Sequence, residues 1–161
     1  FLRAVEPHLD TLDVVVLKLC FADFDQDIDA AALADRYVAA LDGLQAAHPR
    51  TRVIAATAPL TVLQTGPKAW IKTLLGRHPG GHDGNVRRQT FNEIVRARVP
   101  ARRLYDIARL ESAVGGNVAT FDAGGRTIEA LHPALSSDGA HLGPLGERLL
   151  AAAFVALLAE P

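Results

Sequence analysis

Two titratable residues near the end of the chain, Asp138 and His141, lie three positions apart across Gly139-Ala140. In a glycine-containing loop this spacing lets a carboxylate turn back onto the imidazole Nδ1–H. The contact fixes the tautomer and leaves Nε2 free to take a proton from a hydroxyl. The chemistry on offer is general-base activation of an oxygen nucleophile. The same spacing also suits an Asp that caps a loop beside an ordinary half-exposed His, and for a bare Asp-x-x-His that plainer reading is the commoner one. Position argues the other way. The pair sits in Ser136-Ser-Asp-Gly-Ala-His-Leu-Gly-Pro-Leu-Gly146, directly ahead of an apolar C-terminal segment.

The elements that would hold such a loop alternate along the chain. Asp13-Val-Val-Val-Leu-Lys-Leu-Cys20 is a nearly continuous aliphatic run, which predicts a strand covered on both faces, as in a parallel sheet. Leu33, Tyr37, Leu41 and Leu44 make one apolar stripe over Ala30–Ala47, a helix with Asp29 at its N-cap and His48-Pro49 as its stop. Arg52–Thr57 is the next strand, ended by Pro59. Leu60–Gly84 is rich in Gly and Pro and is expected to be a long irregular segment carrying the only tryptophan, Trp70. A helix over Asn85–Arg98 and a short strand over Arg103–Ile107 follow. Val118–Leu131 reads as a hairpin around Asp122-Ala-Gly-Gly125. The last helix starts at Pro144, runs to Ala159, and is apolar almost all round, which predicts deep packing. This alternation implies a parallel sheet with helices on both faces and a ligand rim at the carboxyl ends of its strands. The segments after Cys20, after Thr57 and before Pro144 should converge there.

At this point the sequence resembles a known family. Asp138-Gly-Ala-His141, then Leu-Gly-Pro-Leu-Gly146 and an apolar helix, is similar to the final block of the SGNH (GDSL-type) serine hydrolases. Asp13 to Asp23 resembles the strand leading into the family's third block, and Val53 to Leu60 its next strand. Asn85-Val-Arg-Arg-Gln-Thr-Phe-Asn92 followed by Leu104-Tyr-Asp-Ile107 resembles the helix and strand after that. The likeness spans nearly the whole chain, with the last block as its sharp motif. It implies an α/β fold, a flavodoxin-like three-layer α/β/α arrangement with a mainly parallel sheet whose first strand is missing from this chain. The 161 residues would form a single domain, the C-terminal three-quarters of such an enzyme. The implied activity is hydrolysis of carboxylic esters, O-acylated carbohydrates among them, with His141 as general base and Asp138 as its orienter.

The departures from the family are equally specific. No segment matches the first block, with its nucleophilic serine. Ser112, Ser136 and Ser137 are the only serines, and none lies at a strand-to-helix turn. Because the Asp13–Cys20 strand corresponds to a later one, the serine block is expected upstream of Phe1, on an N-terminal segment or a second chain that completes the sheet. The absence of any methionine fits a chain processed or trimmed at its start. Where the family has Gly-x-Asn-Asp, this chain has Cys20-Phe-Ala-Asp23. Ala22 thus stands where an Asn would help bind the oxyanion, beside Asp23, and such a donor is worth about 3–4 kcal/mol in a transition state. The loss favours an alternative, a catalytically silent binding module on the same sheet. An unrelated flavodoxin-like domain binding a small anion is a third reading.

Other signals are weaker. Trp70, Ile71, Leu74 and Leu75 either pack the irregular segment down or line an acyl or sugar pocket. His78, His82 and Asp83 fall in a Gly/Pro-rich stretch that reads as a flexible lid, with no metal site assigned. Gln64-Thr-Gly-Pro-Lys68 lacks the spaced glycines of a phosphate loop. Cys20 is expected to be a small buried hydrophobe. No cofactor is implied. A formal net charge of -1 gives no basic surface for nucleic acid, and no apolar run reaches the ~20 residues of a membrane span.

Overall fold

The computed structural model describes residues 5–24 and 27–159. Three parallel strands form its main sheet in the order β1-β2-β3: β1 is Val14–Leu17, β2 is Arg52–Ala56 and β3 is Leu104–Tyr105. Helix α1, Ala30–Ala47, follows β1, and the Asp29 carboxylate accepts the Ala32 N–H at 2.9 Å to cap it. Alternate residues of β2 go to opposite sides. Val53 and Ala55 join a core built with α1 and with Phe91 and Val95, whereas Ala56 packs with Ile107 and Leu150. A strand covered in this way needs apolar residues at every position, which is why its sequence shows no alternation.

Several boundaries differ from the sequence expectation. The segment over Leu60–Gly84 is not wholly irregular: Pro67–Leu74 forms helix α2, opened by Pro67 in its first turn. Helix α3 spans His82–Arg98, starting three residues before the expected Asn85. The third strand stops at Tyr105 because the Asp106 carboxylate accepts the Arg109 N–H and starts helix α4, Ile107–Ser112. Val118 belongs not to the expected hairpin but to a smaller one, β4 (Ala113–Val114) with β5 (Asn117–Val118). The expected hairpin is β6 (Thr120–Ala123) with β7 (Arg126–Glu129), joined at Gly124-Gly125. Arg96 fastens it, pairing with Asp106 at 2.8 Å and Glu129 at 2.8 Å.

The largest correction concerns the last helix, α5, Pro144–Ala159. Only Gly146, Leu150 and Leu157 are buried, while Leu145, Leu149, Val155 and Leu158 are exposed. Composition sets which faces of a helix could be buried, and the elements present decide which ones are. At Gly146 the helix presses on the chain before it, where a Cβ would lie 2.7 Å from the Leu135 carbonyl oxygen.

At the rim the β1–β2 pairing ends at Leu17 and Ala55, and Tyr37 of α1 bridges the two strands. Its hydroxyl reaches Leu17 O (2.6 Å) and Ala56 O (3.0 Å) and accepts the Ala56 N–H at 2.8 Å. Burial pushes this phenol well above its ordinary pKa. Tyr37→Phe keeps the ring against Phe91 but leaves the Ala56 N–H and a strand carbonyl unpaired. The expected cost is about 1–3 kcal/mol of stability, read as a lower midpoint at unchanged slope in urea unfolding followed by circular dichroism. An unchanged midpoint would show that the bridge carries no stability.

Candidate active site

The loop between the turn Pro133–Leu135 and α5 is closed by its own polar groups. Ser136 and Leu142 form an isolated antiparallel bridge. Ser136 Oγ donates to His141 O (2.9 Å) and accepts the Gly139 N–H (2.8 Å). Asp138 does two jobs with two oxygens. Oδ1 accepts the backbone N–H groups of Ala140 (2.9 Å) and His141 (2.7 Å), and Oδ2 lies 2.7 Å from His141 Nδ1. Capping the loop and orienting the imidazole, alternatives in the sequence, are here properties of one carboxylate. The His141 side-chain hydrogen bond, aided by the two backbone ones, holds the Asp138 carboxyl well below the usual carboxylate range. With Nδ1–H directed at Oδ2, Nε2 carries the acceptor lone pair, and it has no hydrogen-bond partner among the described residues.

The strand ends supply the surroundings. Phe21, in the turn Phe21–Asp23 after β1, meets the His141 ring edge-on at 5.6 Å. Beyond β2, the Val62 N–H donates to Gly139 O at 2.8 Å. Between them lies a recess of ≈ 700 Å³ lined by Phe21, Thr61, Val62, Gly81, Arg88, Asp138 and neighbours. Arg88 is 5% exposed, donates to Thr61 Oγ1 (3.2 Å) and to Asn85 Oδ1, and lies 6.0 Å from the Phe21 ring. Its Nε is buried without a partner among the described residues. Burial lowers its pKa to about 10.

The other sequence candidates fall elsewhere. Ala22 is exposed and does not line the recess. Asp23 turns its carboxylate back on the Cys20 N–H at 2.6 Å, closing a local capping box. Trp70 is 66% exposed on α2 and is absent from the recess wall, to which α2 contributes Lys72 instead. Its side chain therefore neither packs the segment down nor lines the pocket. Cys20 is exposed, not buried, because the chain has already left the sheet at Leu17. Among the described residues no serine hydroxyl bonds the imidazole: Ser112 Oγ donates to Arg109 O, and Ser136 serves the loop backbone.

Residues given no role in the sequence hold the chain that leads from β2 into the recess wall at Thr61 and Val62. Asn92 Oδ1 accepts the Ala58 N–H (2.7 Å) and its amide returns a bond to Ala58 O (3.1 Å). Asn85 does the same for Thr61, at 3.1 and 2.7 Å. Glu111 Oε2 accepts the Leu60 N–H at 2.6 Å. The signal available in the sequence was two Asn seven apart on a helix that otherwise shows an apolar stripe.

Comparison with known proteins gives one structural likeness. No family model matches the chain, and no curated protein matches it. The chain is similar to a solved structure described as "a putative platelet activating factor from Streptococcus pneumonia", at TM-score 0.55 and 14% identity, covering 96% of this chain and 67% of that one. At that identity the likeness concerns the fold alone: a mixed α/β chain with a parallel three-stranded sheet. No helix among the described residues is long and apolar enough to cross a membrane.

Glu111 makes the buried chain behind this wall sensitive to pH. Burial raises its carboxyl to about 7 from an ordinary 4.5, against the Leu60 N–H and the charges of Lys18 and Arg88. The folded protein thus holds this proton more tightly than the unfolded chain. The resulting stability is complete below pH 4.5 and is lost as pH rises through about 7. Relative to Glu111→Gln, the native protein should lose about 3 kcal/mol across that window, measured by urea unfolding at a series of pH values. Parallel curves for the two proteins would contradict it.

Proposed function

We propose that this chain is the greater part of an SGNH-like serine hydrolase acting on carboxylic esters, O-acylated carbohydrates among them. The observation that carries the reading is the 2.7 Å contact from His141 Nδ1 to Asp138 Oδ2, at the rim where β1 and β2 end and directly before the last helix. In this scheme a serine hydroxyl passes its proton to Nε2 as its oxygen attacks the ester carbonyl. Nε2–H then protonates the departing alkoxide. A water, deprotonated by the same nitrogen, releases the acid from the acyl-serine. Asp138 holds the tautomer throughout and stabilises the transient imidazolium.

The serine comes from outside these 161 residues, on a segment or second chain that also completes a flavodoxin-like, three-layer sheet. Three features support this. Strand β1 pairs with β2 on one edge, and no strand pairs with its other edge among the described residues. The exposed leucines and Val155 of α5 form an unshared apolar face, and a paired edge and a covered face are what such a core ordinarily has. Roughly a third of the structural neighbour has no counterpart in this chain. A second reading, a silent binding module, is favoured by Ala22, which offers no side-chain donor to an oxyanion.

The two readings separate in a p-nitrophenyl acetate assay. The full gene product should hydrolyse the ester, and His141→Ala should lower its rate by about 10²–10⁴-fold. The isolated 161-residue chain should show only the background rate of free imidazole. A His141-dependent rate from the isolated chain would place the nucleophile inside it. An inactive full product would leave the silent module.

A further inference from the structure

We propose that His78, His82 and Asp83 form a binding site for one Zn²⁺ ion, which pins the turn that walls the recess beside Asp138. One donor nitrogen from each imidazole and a carboxylate oxygen all lie within 4.8 Å of one another, the only such His, Cys, Asp or Glu trio among the described residues. Both nitrogens converge on the same oxygen, Asp83 Oδ1: His82 Nδ1 at 2.7 Å, and His78 Nδ1 also in contact. The two rings are tilted against each other with centroids 3.9 Å apart. A single divalent cation with two imidazole donors and one carboxylate satisfies all three groups at once.

The donor set selects the metal. Two nitrogens and one oxygen suit a borderline ion in tetrahedral geometry, whereas Ca²⁺ and Mg²⁺ call for oxygen ligands. Zinc–ligand bonds of ~2.0–2.2 Å put the ligand atoms about 3.3 Å apart, so Asp83 Oδ1 need draw away from each nitrogen by less than ~1 Å. Asp122 lines the same ≈ 500 Å³ recess as the trio, leaving the fourth position to it or to water.

The backbone holds this geometry in place. The Gln64 N–H donates to Gly80 O (2.8 Å), and Gln64 Oε1 accepts from the Gly80 N–H (3.2 Å) and from Lys72 Nζ (2.8 Å). Gly81, at φ +85°, passes so near Val62 that a Cβ would sit 2.4 Å from its carbonyl oxygen. The His82 ring rests on Phe121 of β6 at 5.0 Å. Gly80 and Gly81 line the recess next to Asp138, so an ion held one residue further on would fasten that wall to the start of α3. The stretch that reads as a flexible lid is, on this view, a clamped one.

The test is a calorimetric titration of the chelator-stripped chain with ZnCl₂ at neutral pH, followed by hydrogen exchange. One ion per chain is expected, with Ca²⁺ in excess failing to compete. Affinity should fall at least tenfold in His82→Gln and in Asp83→Asn, and at least a hundredfold in the His78→Ala, His82→Ala pair. His8→Ala and His141→Ala should bind Zn²⁺ as the native chain does. Unchanged far-ultraviolet spectra establish that each variant is folded; His78 and Asp83 are exposed, and His82→Gln conserves bulk at the half-buried position. Exchange at Gly80 to Asp83 should slow at least tenfold with the ion. The absence of stoichiometric uptake, or uptake that survives the double variant, overturns the site. Uptake without slowed exchange overturns the clamp.

Discussion

Beyond Thr57 the main chain that follows β2 is buried and, among the described residues, no strand pairs with it, so the rim depends on how its polar groups are satisfied. Ala58 and Leu60 are fully enclosed, where an unpaired N–H or C=O is costly. Side chains from two helices replace the missing strand: Asn92 serves both groups of Ala58, Glu111 the N–H of Leu60, and Asn85 both groups of Thr61. The spacing is commensurate. Seven helical residues advance ~10.5 Å, and three extended residues advance ~10 Å. One residue further on, Val62 donates to Gly139, so the same scaffold positions the loop that carries Asp138 and His141.

What could be read from the sequence is what is decided locally. The Asp29 cap and the apolar stripe set both ends of α1 at Ala30 and Ala47. The Asp-Ala-Gly-Gly turn located its hairpin, and the Asp138–His141 contact spans only three residues. The Ala58–Asn92, Leu60–Glu111 and Thr61–Asn85 pairs instead join positions 24 to 51 residues apart. No local pattern announces such partners, and Arg88 likewise reads as one more helical cation until Thr61 and Phe21 are placed around it.

Punctuation residues misled for a related reason. Gly66-Pro67 suggested loop, yet Pro67 opens a first helical turn, whereas Pro79-Gly80-Gly81 does stay outside any helix, with Gly81 passing close by Val62. The apolar character of α5 misled in the opposite direction, because burial depends on what lies opposite a face as well as on the face itself.

The placement of the aromatic residues has an optical consequence. Trp70 is the only tryptophan and stands on the exposed side of α2, so its emission should be that of an indole in water and should change little when the core unfolds. The two tyrosines behave differently. Burial lifts Tyr105 to about 12 and Tyr37 further, so tyrosinate absorbance is withheld from the native protein across ordinary alkaline conditions. Its sudden appearance in a base titration would mark the moment when α1 leaves the strands, a signal of global opening that fluorescence would pass over.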